Sequence, residues 1–390
     1  MATDFVFPDY HGGSIVNLMC SITGAYGWHC TDYPVLDGLA ADQLAETHNL
    51  VLLVVDGLGY DYLIRYGDGS VLHQHLQRSI TSVAPPTTAT AVTTFLTGLA
   101  PQQHGLTGWF TWFRELGSVL AVLPFKPRCS SEPLGRSGVS AESLLGHIPV
   151  FDRLQVTSYS LCPDWLAGSD FNRAHLGRAE LVAFHDLDDC FMRITEIVRL
   201  KQHKKYIYAY WPGFDRLAHT EGVASDVTHQ HFLELDSRFE RLIDDLAGSG
   251  TTVIVTADHG FVDIMDQQRI RLDEHPAMKA CLSIPLCGEQ RLSYAYVHHG
   301  KREQFESYIN DHLSHAIWLH RSEQLLQRNL FGLGEPHPEL LSRIGDYILI
   351  QKAGYVIHDP ILGEKPSQMI GFHGGLSAQE MAVPLIRVSL

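Results

Sequence analysis

The chain has 390 residues, 45% of them hydrophobic and 19% charged, with a formal net charge of −15. That length suits one large α/β domain with an insertion, or two domains. The acidity excludes long-range attraction to a nucleic acid polymer or to an anionic membrane. A phosphate ester stays open as a ligand, because bound dications reverse the sign of the field locally.

No stretch approaches the ~20 continuous apolar residues that span a bilayer. Met1–Phe5 holds an early acid, Asp4, and no basic segment, so it does not read as a secretory signal, and a cytoplasmic protein is expected. The seven cysteines are scattered and form no Cys-x-x-Cys pair. Reduced structural thiols are expected in place of a disulfide framework or a cysteine zinc site.

Strand-like runs followed by helical patterns recur along the chain, which predicts an α/β class. Leu50–Val55 is an apolar strand that ends in Asp56-Gly57. Ile80–Val83 is a short strand running into Pro85-Pro86, and residues 88–97 read as a helix closed by Gly98. The run 205–211 is another strand, followed by Pro212-Gly213-Phe214-Asp215. Across 225–247, Phe232, Leu235, Phe239, Leu242 and Leu246 recur at helical spacing and share a face. The β-branched run Thr251–Thr256 then ends in Ala257-Asp258-His259-Gly260. After Asp263 the character changes to short strands (Ser293–Val297, Tyr347–Gln351) and helical pieces (301–313, 321–329). Motif-like sequence returns at Gly371-Phe372-His373-Gly374-Gly375. The predicted division is a hydrolase core of residues 1–263 and 366–390 with a smaller inserted α+β cap over 264–365.

Polar residues stand directly after these strands, where ligands bind in open α/β sheets. They are Asp56, Thr87 and Thr88, Asp215 and His219, and Asp258 and His259, with His373 between glycines. Asp215 and His219 are four apart and share a face on a helical turn. Each piece alone has an ordinary explanation as a turn, a cap or a surface residue. Together, three Asp, three His and a hydroxyl are the ligands that borderline-hard dications accept. They suffice for two ions ~3.5–4 Å apart, the spacing that clamps the attacking and leaving oxygens of a phosphoryl transfer. A hydroxyl at a helix start adds a nucleophile beside free N–H groups.

In order, these segments are Val-Val-Asp-Gly (54–57), Pro-Pro-Thr-Thr-Ala-Thr-Ala-Val-Thr-Thr-Phe-Leu-Thr-Gly (85–98), Pro-Gln-Gln-His-Gly (101–105), Asp-Arg-Leu-Ala-His (215–219), Ala-Asp-His-Gly (257–260) and His-Gly-Gly (373–375). As a set they resemble the type I phosphodiesterase/nucleotide pyrophosphatase branch of the alkaline phosphatase superfamily. The resemblance runs from about Asn49 to Gly260 and resumes at Gly371–Leu385.

It implies an alkaline phosphatase-like core with a mostly parallel central sheet flanked by helices. It implies two divalent metal ions, zinc first and manganese second. Asp215, His219 and His373 match the ligands of one ion, and Asp56, Asp258 and His259 those of the other. Thr88, nine residues before Thr97 of the Thr-Gly pair, matches the nucleophile, which also touches the metal. The implied activity is a phosphohydrolase acting on a small-molecule phosphodiester or pyrophosphate through a phosphothreonine. A phosphomonoesterase or phosphonate hydrolase of the same superfamily is the first alternative, and a metal-loaded binding module without catalysis is the alternative of another class. Nucleotide pyrophosphatases of the family usually carry an Asn three residues after the nucleophile, and here Ala91 stands there. Lys126 and Arg128 are candidates to replace it, as backbone amides are. Trp109–Phe113 could stack on a base or aryl group or simply pack into a core, and His104-Gly105 reads as structural, with Gly105 making a turn.

Overall fold

In the computed structural model, residues 5–200, 203–364 and 368–390 are described. The N-terminal segment read for a signal, residues 1–4, lies outside them, and so does the predicted boundary at 365/366.

Two seven-stranded sheets organise the molecule. The first runs, in spatial order, Leu76–Thr81, Ala382–Ser389, Thr251–Thr256, Asn49–Val55, Lys205–Trp211, Thr157–Pro163 and Glu180–Phe184. Asn49–Val55 is paired in parallel on both sides, and Ala382–Ser389 runs antiparallel to both of its neighbours. The central strands are buried throughout, which is why they read as unbroken β-branched and aliphatic runs without alternation. Helices Ile15–Ala25, Thr88–Thr97, Leu187–Arg199 and Asp226–Leu246 flank this sheet in the α/β core. The predicted face of the last one, Phe232, Leu235, Phe239, Leu242 and Leu246, is buried in full.

Register decides where the site forms. Val54 pairs with both Tyr210 and Thr256. Asp56, the turn after Trp211, and Ala257-Asp258 therefore leave the sheet at the same edge.

The second sheet is antiparallel, in the order Ile317–Arg321, Tyr347–Gln351, Leu292–Ala295, Cys287–Gly288, Phe110–Phe113, Ser118–Ala121 and Lys126–Pro127. Its last three strands come from residues that the sequence reading grouped with the core. A buried ion pair ties the two parts together. Arg291 Nε and Nη2 donate to Glu380 Oε1 and Oε2 at 3.0 and 2.7 Å, and both side chains are almost wholly shielded from solvent.

The expectation of reduced thiols throughout is corrected at one pair. Cys20, on the helix Ile15–Ala25, forms a disulfide with Cys30, their Cα atoms 5.6 Å apart. The chain turns back after this helix, so the pairing is local and leaves no spacing signature. Cys129, Cys162, Cys190, Cys281 and Cys287 are free. Among the described residues, no helix is long and apolar enough to cross a membrane.

Candidate metal centre and nucleophile

The structure brings all seven predicted site residues to one place. Helix Gly213–Glu221 puts Asp215 and His219 one turn apart, with His219 Nε2 3.3 Å from Asp215 Oδ1. The glycine-flanked loop places His373 Nε2 3.2 Å from His219 Nε2 and its ring 3.6 Å from that of His259, nearly parallel. His259 Nε2 lies 3.2 Å from Asp56 Oδ1 and 3.5 Å from Asp258 Oδ2. Two ligand-competent groups result, Asp215-His259-His373 and Asp56-Asp258-His259. His259 is common to both, and His219 borders the first through Asp215 and His373.

Contacts behind the ligand atoms orient them. His259 donates from Nδ1 to the Gly260 carbonyl at 3.1 Å, and His219 from Nδ1 to the Gly371 carbonyl at 2.9 Å. Both imidazoles thus present an Nε2 lone pair to the cluster, the arrangement that metal-binding histidines adopt. Asp258 Oδ1 accepts the N–H groups of Gly57 and His259, and the Tyr210 hydroxyl donates to Asp56 Oδ2. Gly57, at φ +76°, makes the turn after Asp56.

Three inner carboxylate oxygens, Asp56 Oδ1, Asp215 Oδ1 and Asp258 Oδ2, are buried without a hydrogen-bond partner. Buried polar atoms are rarely left so unless something else satisfies them. The electrostatics agree. Burial pushes Asp56 up to about 6. Burial and the charge of Asp56 push Asp258 up to about 8, and burial with the charges of Asp56 and Asp258 pushes Asp215 well up. Burial holds His219 down at about 4, and also holds His259 and His373 below the usual imidazole range. Carboxylates that resist ionisation and imidazoles that resist protonation are both relieved by a bound cation. The residues fit divalent metal ions by donor type, number and unsatisfied atoms.

Thr88 opens a fully buried helix, Thr88–Thr97, that Gly98 closes at φ +72°, as predicted. Its Oγ1 lies 3.3 Å from His259 Nε2. The Thr87 hydroxyl does not cap the helix, so the first N–H groups stay free to face an anion. Ala91 is buried and offers no polar group.

A cavity of about 540 Å³ opens beside Thr88, of the size that small-molecule sites use. Thr88, Asp215, His219 and His373 border it, and Trp109 and Phe110 form part of its wall. The aromatic cluster therefore divides: Phe113 turns into the core and Trp112 packs against Tyr296. Lys126 pairs along the second sheet and does not border this cavity. Arg128 does border it, yet its guanidinium is engaged. It donates to both oxygens of Glu364 at 2.7 and 2.8 Å and to the carbonyls of Leu286 and Asp359 at 3.0 and 2.8 Å. It also lies 4.2 Å above the Phe110 ring. His104 is fully buried and Gly105 turns the chain at φ +70°.

Glu289 is the site residue that the sequence reading missed. It sits in a Gly-Glu-Gln-Arg turn of the second sheet, partly exposed to the cavity. Burial pushes its carboxyl up to about 7, against hydrogen bonds from Thr87 and the Trp109 amide. Nothing local in the sequence marks it.

Residues 50–376 match the family described as "Type I phosphodiesterase / nucleotide pyrophosphatase". No curated protein sequence matches. Among solved structures, murine ectonucleotide pyrophosphatase/phosphodiesterase 5 is similar in fold, with a TM-score of 0.65 at 17% identity, over 86% of this chain and 87% of that one. An inactive form of the same murine protein was solved in complex with AMP, with the same figures. Phosphonoacetate hydrolase from Sinorhizobium meliloti 1021, in complex with phosphonoacetate, gives 0.61 at 16% identity over 88% and 90%. With the family matched over most of its length, this chain belongs to the type I phosphodiesterase/nucleotide pyrophosphatase family, whose members are metal-dependent hydrolases.

Proposed function

We propose that the protein is a two-metal phosphohydrolase that cleaves phosphodiester or pyrophosphate-type bonds through a phosphothreonine on Thr88. The observation that carries this reading is the position of the Thr88 hydroxyl. It stands at a buried helix start with free amides, 3.3 Å from the histidine common to both ligand groups. Asp215, His219 and His373 would hold one ion, and Asp56, Asp258, His259 and the Thr88 oxygen the other. Dications bound there would lower the pKa of the hydroxyl and neutralise charge on the departing oxygen. Zinc suits the Asp/His donor set best, with manganese next.

The chain's own residues account for the remaining work. Thr88 Oγ gives up its proton and forms the bond to phosphorus as the bond to the leaving oxygen breaks. The leaving alcohol or phosphate takes that electron pair and a proton. The amides that open the helix receive the equatorial oxygens in place of the family's Asn. Water then attacks phosphorus and releases Thr88, restoring its proton. Trp109 and Phe110 offer an apolar wall for the leaving group.

The substrate is a small phosphoester, in keeping with the AMP of one similar structure, whereas the phosphonoacetate of another is a phosphonate. Cleavage of a phosphonate remains the alternative activity, favoured only by the second of those neighbours. We further propose the core and cap division, with residues 110–127 contributing strands to the cap's sheet, and a cytoplasmic location. The Cys20–Cys30 disulfide is the observation against that location.

The test is zinc- or manganese-loaded protein on bis(p-nitrophenyl) phosphate, p-nitrophenyl phosphate and a phosphonate, with metal content measured in parallel. The expected result is diester turnover, lost on the order of 10³-fold or more in Thr88→Ala with metal retained. A Thr88→Ala protein as active as the parent would sink the mechanism. Bound metal with no turnover on any ester would favour a binding module.

A further inference from the structure

Glu289 is held by three parts of the site at once. The Trp109 N–H donates to Glu289 Oε1 at 2.6 Å, and the Thr87 hydroxyl bonds the same carboxyl. On the third side runs the loop that carries His373. A Cβ added at Gly374 would lie 2.7 Å from Glu289 Cγ, and φ there is +97°. Glycine lets the loop pass directly over this side chain. The carboxyl is thus held between the Thr87 turn, the aromatic wall and the His373 loop, and the residue lines the cavity. It is close enough to Asp215 that its charge acts on that carboxylate.

No cation answers it. Arg128 is the one Lys or Arg bordering this cavity among the described residues. All the hydrogen bonds of its guanidinium go to Glu364 and to the carbonyls of Leu286 and Asp359. The charges of the proposed centre also balance without Glu289. Two dications are matched by the carboxylates of Asp56, Asp215 and Asp258 and by the Thr88 alkoxide. Glu289 is the surplus negative charge.

We infer that Glu289 selects substrate by charge, admitting phosphodiesters, with one negative charge at the reacting phosphorus, and disfavouring phosphomonoesters and carboxylated phosphonates, which carry two or more. This deepens the reading of the site as a two-metal phosphohydrolase and rests on it. A carboxylate with no cation beside it, on the wall of the cavity that Thr88 also borders, acts on each added substrate charge through a medium far less polarisable than water. A diester meets that repulsion once, and a monoester dianion twice.

The experiment uses the full zinc-loaded chain at about pH 8.5, above the value of about 7 to which burial pushes the Glu289 carboxyl. Glu289→Gln keeps an oxygen for the Trp109 N–H and removes the charge. It is expected to raise kcat/KM for p-nitrophenyl phosphate relative to bis(p-nitrophenyl) phosphate on the order of tenfold, the effect of deleting one nearby unit charge. Calorimetric titration is expected to show binding of inorganic phosphate tightened on the order of tenfold more than that of dimethyl phosphate. Gln290→Lys, which sets a cation beside Glu289 on the same cavity wall, is expected to move both readouts the same way by about threefold, and it decides the matter should Glu289→Gln fail to fold. An unchanged ester ratio with unchanged phosphate affinity overturns the inference, as does a parent enzyme that prefers the monoester. A parent that hydrolyses neither ester overturns the reading of function instead, and the phosphate titrations still judge Glu289.

Discussion

The two sheets contribute to the cavity in different ways. The parallel sheet delivers its residues from strand ends held in register, so Asp56, Asp215 and Asp258 arrive together with little freedom. The antiparallel sheet is stitched from short segments far apart in the chain and lends the cavity Trp109, Phe110, Arg128 and Glu289. The first supplies the proposed ligands and the proposed nucleophile, which the chemistry would need. The second supplies walls and charge, which bear on what is accepted. Changes on the parallel side should therefore abolish turnover, and changes on the antiparallel side should alter stability, affinity or preference.

The sharpest way to break that contrast is His259→Ala. His259 borders both ligand groups and Thr88. Its loss is expected to cost on the order of 10³-fold in kcat/KM together with bound metal. Turnover within tenfold of the parent, with full metal content, would show that the strand-end cluster is not where the chemistry happens.

Most of the parallel side is readable along the chain. Asn49–Val55, Lys205–Trp211 and Thr251–Thr256 announce themselves because strands buried on both faces must be continuously apolar or β-branched. Thr88–Thr97 does so because Gly98 ends it in a left-handed turn. The ligands follow from their place after those strands. The antiparallel side is not readable in the same way. Cys287–Gly288 and Lys126–Pro127 are two residues long and carry no periodicity. Their pairing depends on tertiary contacts, so residues 110–127 show no sign that they leave the core sheet. Glu289 and Arg291 are ordinary turn residues until the fold sets one against Trp109 and the other against Glu380. The Cys20–Cys30 pair escapes notice for the same reason.

The seam between the two sheets gives the next largest effect. Arg291→Met leaves the Glu380 carboxylate buried without its guanidinium, a change that costs about 3–5 kcal/mol in comparable pairs. Chemical denaturation should show that loss. Metal affinity should fall as well, because Glu380 Oε1 accepts the Gly375 N–H and so anchors the loop that bears His373. Stability lost with metal affinity untouched would mean that the pair only joins the two parts.

A smaller effect is expected at the antiparallel wall. Arg128→Leu frees Glu364 and the carbonyls that Arg128 holds beside the cavity. KM for the diester is expected to rise about fivefold with kcat within about twofold, since the contact serves binding and not the transition state. An equal fall in kcat and kcat/KM would move Arg128 to the side of the chemistry.

The smallest expected effect is a pH dependence at the seam. Burial works against the Glu380 carboxylate, but the Arg291 guanidinium and hydrogen bonds from Ser377 and Gly375 overcome it, so its pKa lies below the ordinary 4.5. A carboxyl depressed in the folded state stabilises the protein fully above its unfolded value. As pH falls below about 4.5, the unfolded chain takes up a proton that the folded one refuses, and the contribution drains away until the folded carboxyl also protonates. Glu380→Gln has no such proton. The gap in unfolding free energy between parent and variant should then be constant above about pH 5 and narrow below it, by at most about 1.4 kcal/mol per pH unit. The comparison isolates this one group, because the metal-site carboxylates titrate alike in both proteins. A gap that stays level down to about pH 3 would show that the Arg291 pair does not hold Glu380 ionised, and that the two sheets are joined there by shape alone.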